Sequence, residues 1–213
     1  MQIAILVFDG LTALDAVGPS EVLCRLPGAE LRYTGKERGP VQTETGPLRM
    51  FADHTLDEVT EPDILLVPGG MGSRPLLRDE EVLEWVRSVH ERTRWTTSVC
   101  TGSLILAAAG LLDGVRATGH WLQMERLGSL GAVPTGERVV REGKIITAAG
   151  VSSGIDMALA LVALEAGDAV AQAIQLSIEY DPQPPFDAGS PEKAPDQIVE
   201  LVRERAAARE PAS

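Results

Sequence analysis

Short, almost wholly apolar runs alternate along this chain with longer stretches in which apolar residues recur every three or four positions. Residues 2–8, QIAILVF, are the first such run, DILLVPGG repeats the pattern, and WTTSVC reads as a further strand. Runs of this length suit strands covered on both faces. Between them, LTALDAVGPSEVLCRL predicts a short helix, with apolar spacing from Leu14 through Val22 and Leu23. AELRYTG reads as a second strand, and ERGPVQTETGPLRM, broken by two Gly-Pro pairs, as a small hairpin. Residues 76–91 have helical periodicity, and TGSLILAAAGLL is a helix that starts directly on the strand WTTSVC. A short VRAT strand, a helix near HWLQMERL and a hairpin ERVVREGKIITAAG with its turn at Glu142-Gly143 come next. SSGIDMALALVALEAG and DAVAQAIQLSIEY predict two more helices. A proline-rich surface loop over 181–195 and an amphipathic helix over 195–208 close the chain, with the tail EPAS expected to fray.

Strands alternating with helices predict an α/β fold: one domain over 1–213, doubly wound, with a mainly parallel sheet and helices on both faces. Ligands of such sheets gather outside the carboxyl ends of the strands. Three segments, FDGLTALDAVGP, PGGMGS and CTGS, each follow a strand directly, so they are expected to meet at one sheet edge.

A length of 213 residues fits one domain with a sizeable core. The net charge of −12 argues against a nucleic-acid partner, because a phosphate backbone would be repelled. Two cysteines, Cys24 and Cys100, make no disulfide framework, and a reducing compartment is the default. MQIAILVFDG has no basic segment before its apolar run, so neither signal peptide nor membrane anchor is expected. Together these predict a cytoplasmic protein that makes no membrane contact.

The candidate chemistry centres on Cys100. A strand turning at once into a helix exposes the side chain at the bend and demands small residues two before and two after it, here Ser98 and Gly102. A thiol at a helix N-terminus is expected to favour the thiolate. The alternative is a buried small residue, as free cysteines often are. Asp15, in LDAVGP, is either a helix N-cap or a carboxyl beside the thiolate whose pKa burial and like charge raise, so that it delivers a proton. Gly69-Gly70 is either a turn or a place where backbone N–H groups approach a substrate, as an oxyanion hole does. Thr101 offers a hydroxyl beside the nucleophile, or simply begins a helix.

Other polar residues have structural readings. His54 and His90 fit solvated surface positions, whereas His120 follows a short strand and fits a satisfied supporting histidine. Cys24, within an apolar helix pattern, reads as structural, Asp9 as a turn residue, and Asp156 as a complement to a helix dipole behind a Ser152 or Ser153 cap.

The motifs LDAVGP, PGGMGS, TSVCTGSLILAAAGLL, RATGHW, GIDMALAL and EYDPQPPFDAGSP identify a resemblance that runs nearly end to end. The chain resembles the ThiJ/PfpI superfamily, with its flavodoxin-like, class I glutamine amidotransferase-like fold, and within it the isocyanide hydratases. That resemblance implies a small-molecule isocyanide substrate and a homodimer, with no cofactor or metal. It implies that Cys100 attacks the terminal carbon of R–N≡C, that Asp15 is general acid and base, and that Thr101 supports the thiolate by hydrogen bonding. Gly69, Gly70 and His120 are the expected substrate and oxyanion neighbours. Protease-like relatives carry Cys-His-Gly where this chain has Cys-Thr-Gly, and no histidine follows KIITAAG, so peptide and glutamine hydrolysis are disfavoured. Glyoxalase- and deglycase-like relatives carry glutamate where Asp15 stands, and share the histidine matched by His120. Gly119 stands where the hydratases are expected to have threonine. Two other classes are a ligand-sensing domain like those of AraC-type regulators, lacking its helix-turn-helix, and a redox-sensing or chaperone-like protein.

Overall fold

Strand β1 (Gln2–Leu6) alternates between two apolar surroundings, which is why its sequence shows no polar face. Ile3 and Ile5 enter one core with the first helix, while Ala4 and Leu6 enter a second core on the other side of the sheet. The computed structural model describes residues 1–208, so the tail EPAS lies outside the described residues. Two compact units divide the chain, Met1–Ile178 and a second beginning at Glu179.

In the first unit β1 is followed by α1 (Ala13–Leu23), β2 (Glu30–Gly35) and an antiparallel hairpin, β3 (Gly39–Gln42) with β4 (Arg49–Ala52). Next come β5 (His54–Thr55), β6 (Ile64–Val67), α2 (Ser73–Leu76), α3 (Glu80–Arg92), β7 (Trp95–Val99) and α4 (Gly102–Ala108). Then follow β8 (Arg116–Ala117), α5 (Met124–Ser129), β9 (Val133–Pro134), β10 (Val139–Glu142) and β11 (Ile145–Ala148). Helices α6 (Ser153–Ala166) and α7 (Asp168–Ser177) end the unit. Seven strands form the main sheet in the order β10-β11-β7-β6-β1-β2-β5, parallel throughout except for β10 against β11. The strand order reverses at β1 and β6, where the crevice of a doubly wound sheet opens. The second unit holds the irregular proline-rich stretch and α8 (Asp196–Ala208), whose Ile198, Leu201 and Val202 are exposed.

Several expectations need adjustment. The helix expected over 76–91 is two pieces, because Asp79 caps α3 by accepting from the Val82 N–H at 3.4 Å. The pairing of Glu142 with Ile145 moves the last hairpin turn to Gly143-Lys144, where Gly143 supplies a φ of 58°. Cys24 does not pack in a core: it is exposed at the end of α1, its sulfur 3.4 Å from the Arg25 guanidinium. His90 is half-buried and bonds the Thr96 hydroxyl at 2.8 Å instead of meeting solvent. Ser152 is the N-cap of α6 but caps it with no side-chain bond, and Asp156 pairs with Arg138.

Candidate active site

The bend from β7 into α4 is tight because β6 lies against it. A Cβ on Gly102 would stand 2.0 Å from the Val67 carbonyl oxygen, so glycine is required there. Ser98, on the other flank, is fully buried. Cys100 takes the strain of the turn, with a φ of 59° that L-residues other than Asn and Asp seldom adopt. Its own N–H is held by the carbonyls of Ala148 (3.1 Å) and Ala149 (2.9 Å) at the end of β11. The result is a fixed sulfur, 4% exposed, at the carboxyl ends of the central strands.

Asp15 comes to the sulfur from the first turn of α1. Thr12, not Asp15, is the N-cap of that helix, and Asp15 is fully buried. Its Oδ2 accepts from the Gly69 N–H at 2.9 Å, while Oδ1 takes no hydrogen bond from any N–H or O–H. The Cys100 thiol and the Asp15 carboxyl act on one another, which favours the carboxylate and holds the thiol proton. Burial outweighs both partners of Asp15 and, helped by the Glu44 charge, pushes its pKa up to about 7. Burial and the Asp15 charge likewise push the Cys100 thiol well above its ordinary range. The backbone N–H groups of Thr101 and Val151 oppose that shift without overcoming it. The expected low-pKa thiolate at a helix N-terminus is therefore replaced by a thiol beside a poised carboxylate.

The roles expected of Thr101, Gly69 and Gly70 change as well. The Thr101 hydroxyl accepts from the Gly70 N–H at 2.8 Å and from Ser73 Oγ at 3.0 Å, and donates to the Gly70 carbonyl at 3.2 Å. Its single proton is thus committed to the glycine loop; only the backbone N–H of Thr101 serves the sulfur. Gly69 and Gly70 offer no free N–H, since one is bonded to Asp15 and the other to Thr101. They are glycines for lack of room. A Cβ on Gly69 would lie 2.4 Å from the Thr101 nitrogen, and one on Gly70 2.4 Å from the Gly10 carbonyl.

His120 packs its ring on Gly150, whose added Cβ would lie 3.0 Å from Cδ2, and its Nδ1 accepts from the Leu122 N–H at 3.4 Å. Burial lowers its pKa against the pull of the Glu44 charge, leaving a neutral imidazole. It is not among the groups that act on the Cys100 sulfur. No histidine follows β11; Val151 stands there, with a φ of 22°. Sequence gave no sign of it, because a β-branched residue argues against positive φ. Ser73 and Glu44 were also missed; both act through loops that only folding brings together. Asp9, read as a turn residue, accepts from the Gln42 N–H at 2.8 Å and ties the first hairpin to the end of β1.

A cavity of 590 Å³ opens beside this cluster, lined by Phe8, Lys36, Arg38, Leu76 and Asp79 among others, and contains neither Cys100 nor Asp15. Its two cations are already paired, Lys36 with Asp79 and Glu81, and Arg38 with Glu58. Among the described residues no group of three His, Cys, Asp or Glu could hold a metal ion, and no helix is long and apolar enough to cross a membrane.

The model of the DJ-1/PfpI family matches residues 1–164. The chain is 45% identical to the isonitrile hydratase of Pseudomonas putida over 97% of its own length and 90% of that enzyme's. It is 31% identical to the HTH-type transcriptional regulator CdhR of Pseudomonas aeruginosa, covering 81% of this chain but only 52% of the regulator. The crystal structure of a ThiJ/PfpI family protein from Pseudomonas syringae superposes with a TM-score of 0.93 at 40% identity, covering 97% of this chain and 86% of the other.

Proposed function

The chain belongs to the DJ-1/PfpI family, and from that premise we propose that it is an isocyanide hydratase, converting R–N≡C and water into the formamide R–NH–CHO. Isonitrile and isocyanide name the same group, so the 45% identity to the Pseudomonas putida enzyme, extending over almost the whole chain, supports the reaction class. One observation carries the mechanism: a buried thiol and a buried carboxyl act on one another at the strand ends, and burial pushes the carboxyl's pKa up to about 7. Such a pair holds one mobile proton and can pass it on at neutral pH.

In the first step the Asp15 carboxylate takes the Cys100 proton while sulfur bonds to the terminal carbon of the isocyanide. Asp15 returns that proton to the same carbon, giving the thioimidate R–N=CH–S–Cys100. Asp15, again a carboxylate, then removes a proton from water as its oxygen attacks the carbon. That proton passes to nitrogen, leaving R–NH–CH(OH)–S–Cys100. Collapse breaks the C–S bond, releases R–NH–CHO and returns the hydroxyl proton to the Asp15–Cys100 pair. The backbone N–H groups of Thr101 and Val151 solvate the sulfur whenever it carries charge. A soft sulfur nucleophile suits a carbon that water attacks slowly. This reading has the enzyme working as a cytoplasmic homodimer on a small-molecule substrate.

The test is formamide production from an aryl isocyanide by the wild type, Cys100→Ala and Asp15→Asn. Turnover by the wild type, lost in both variants, supports the proposal. A folded wild type that makes no formamide while Cys100 still reacts with iodoacetamide overturns it.

A further inference from the structure

Glu44, in the turn between β3 and β4, joins three segments that belong to different parts of the sequence. Its backbone N–H donates to the Leu11 carbonyl at 2.9 Å, and its Oε2 accepts from the Met71 N–H at 2.9 Å. Leu11 precedes the α1 cap Thr12, whose N–H bonds the Gly69 carbonyl at 2.9 Å, and Gly72 donates to the Gly10 carbonyl at 3.0 Å. Residues 9–12, 42–44 and 69–72 thus form a stitched rim. Gly69 and Gly70 in that rim fix the Asp15 carboxyl and the Thr101 hydroxyl.

Charge gives the same residue a second effect. Glu44 is exposed, yet its field reaches both Asp15, on α1, and His120, before α5. The titratable groups acting on Asp15 are Cys100 from the elbow and Glu44 from the hairpin, and the one acting on His120 is Glu44. Neither Asp15 nor His120 has a cation among its partners; the Arg49 guanidinium meets the rim at the Gln42 side-chain oxygen, 3.1 Å away.

We propose that Glu44 is a positioning and specificity residue, fastening the Gly69–Met71 loop that holds Asp15 and turning anionic electrophiles away from Cys100 in favour of neutral ones. This deepens the hydratase reading by naming the substrate class as uncharged isocyanides, and it rests on that reading for the substrate alone. Glu44→Gln keeps an acceptor for the Met71 N–H and removes the charge; Glu44→Ala removes both.

The test uses electrophiles of matched size in a Cys24→Ser background, since the exposed Cys24 would otherwise react. Cys100 alkylation is followed with neutral iodoacetamide and anionic iodoacetate, and turnover with an aryl isocyanide and its ring-carboxylated counterpart. Glu44→Gln is expected to shift the neutral-to-anionic rate ratio toward the anion by about threefold to tenfold, less at about 1 M salt. It should also lower the pH midpoint of the reaction, since the Glu44 charge favours protonated Asp15. Glu44→Ala should shift the ratio similarly and in addition slow reaction with the neutral reagents. A ratio unmoved in Glu44→Gln overturns the specificity role, and Ala behaving like Gln toward neutral reagents overturns the positioning role. If no isocyanide is hydrated but the alkylation ratio still responds, the hydratase reading falls and the role of Glu44 stands.

Discussion

Replacing Asp15 by asparagine removes a charge that is expensive to bury, and the size of that expense follows from the site. Burial lifts the Asp15 pKa from 3.8 to about 7, while the unfolded chain keeps the ordinary value. Each unit of difference is about 1.4 kcal/mol. A folded-state pKa raised in this way lets the folded protein bind the proton more tightly, so stability declines as pH rises from about 4 through 7. By about pH 8 ionised Asp15 costs the wild type about 4 kcal/mol. Asparagine escapes that cost, but it brings two amide N–H groups into a fully buried position beside the Cys100 thiol where only carboxylate oxygens stood, which adds a pH-independent penalty of about 1–3 kcal/mol. The variant should therefore be the less stable protein near pH 4 and the more stable one near pH 8, with ΔΔG swinging by about 3–4 kcal/mol. At roughly 2–4 °C per kcal/mol for a chain of this size, the swing in relative Tm is about 10 °C. Urea unfolding of both proteins at several pH values measures it. A difference that stays constant from pH 4 to pH 8 would refute the claim that Asp15 is a strained, poised carboxyl.

Other expectations follow from the same geometry. With a neutral isocyanide, kcat/KM should rise through about pH 7 as Asp15 loses its proton and stay high into the range where Cys100 titrates; a midpoint near 4 would contradict the raised Asp15 pKa. Thr101→Val should leave the Gly70 N–H unpaired, cost about 1–3 kcal/mol and reduce kcat, while the pH profile of Cys100 alkylation stays put; a shifted profile would restore the hydroxyl to the sulfur. Gly102→Ala drives a Cβ into the Val67 carbonyl and should destabilise by more than about 3 kcal/mol in denaturant titration; a loss below about 1 kcal/mol would show that the elbow can relax.

Much of this protein was present in its residue pattern. The apolar runs at 2–8 and 63–70 lie on interior strands covered on both sides, where burial of a whole strand favours a continuous apolar pattern. The elbow was equally legible, because small residues at 98 and 102 are a local steric demand of a strand turning at once into a helix. The convergence of LDAVGP, PGGMGS and CTGS followed from strand direction alone.

Proton affinity and partner choice were decided by the tertiary structure. Sequence offered Cys100 a helix N-terminus and hence a thiolate; burial beside Asp15 reversed the sign, because desolvation and a like charge depend on what packs around a group. Thr101 looked like a partner of its neighbour in sequence, yet its hydroxyl goes to Gly70, 31 positions away. Gly69 and Gly70 looked like open donors and are spent on Asp15 and Thr101. Val151 and Glu44 carried no signal at all, since one acts through a backbone N–H and the other through a rim assembled from three distant segments. A sequence specifies which groups the chain owns and the local turns they can make; distances between groups far apart in the chain, and the solvent left around them, exist only once the sheet has brought its strand ends together.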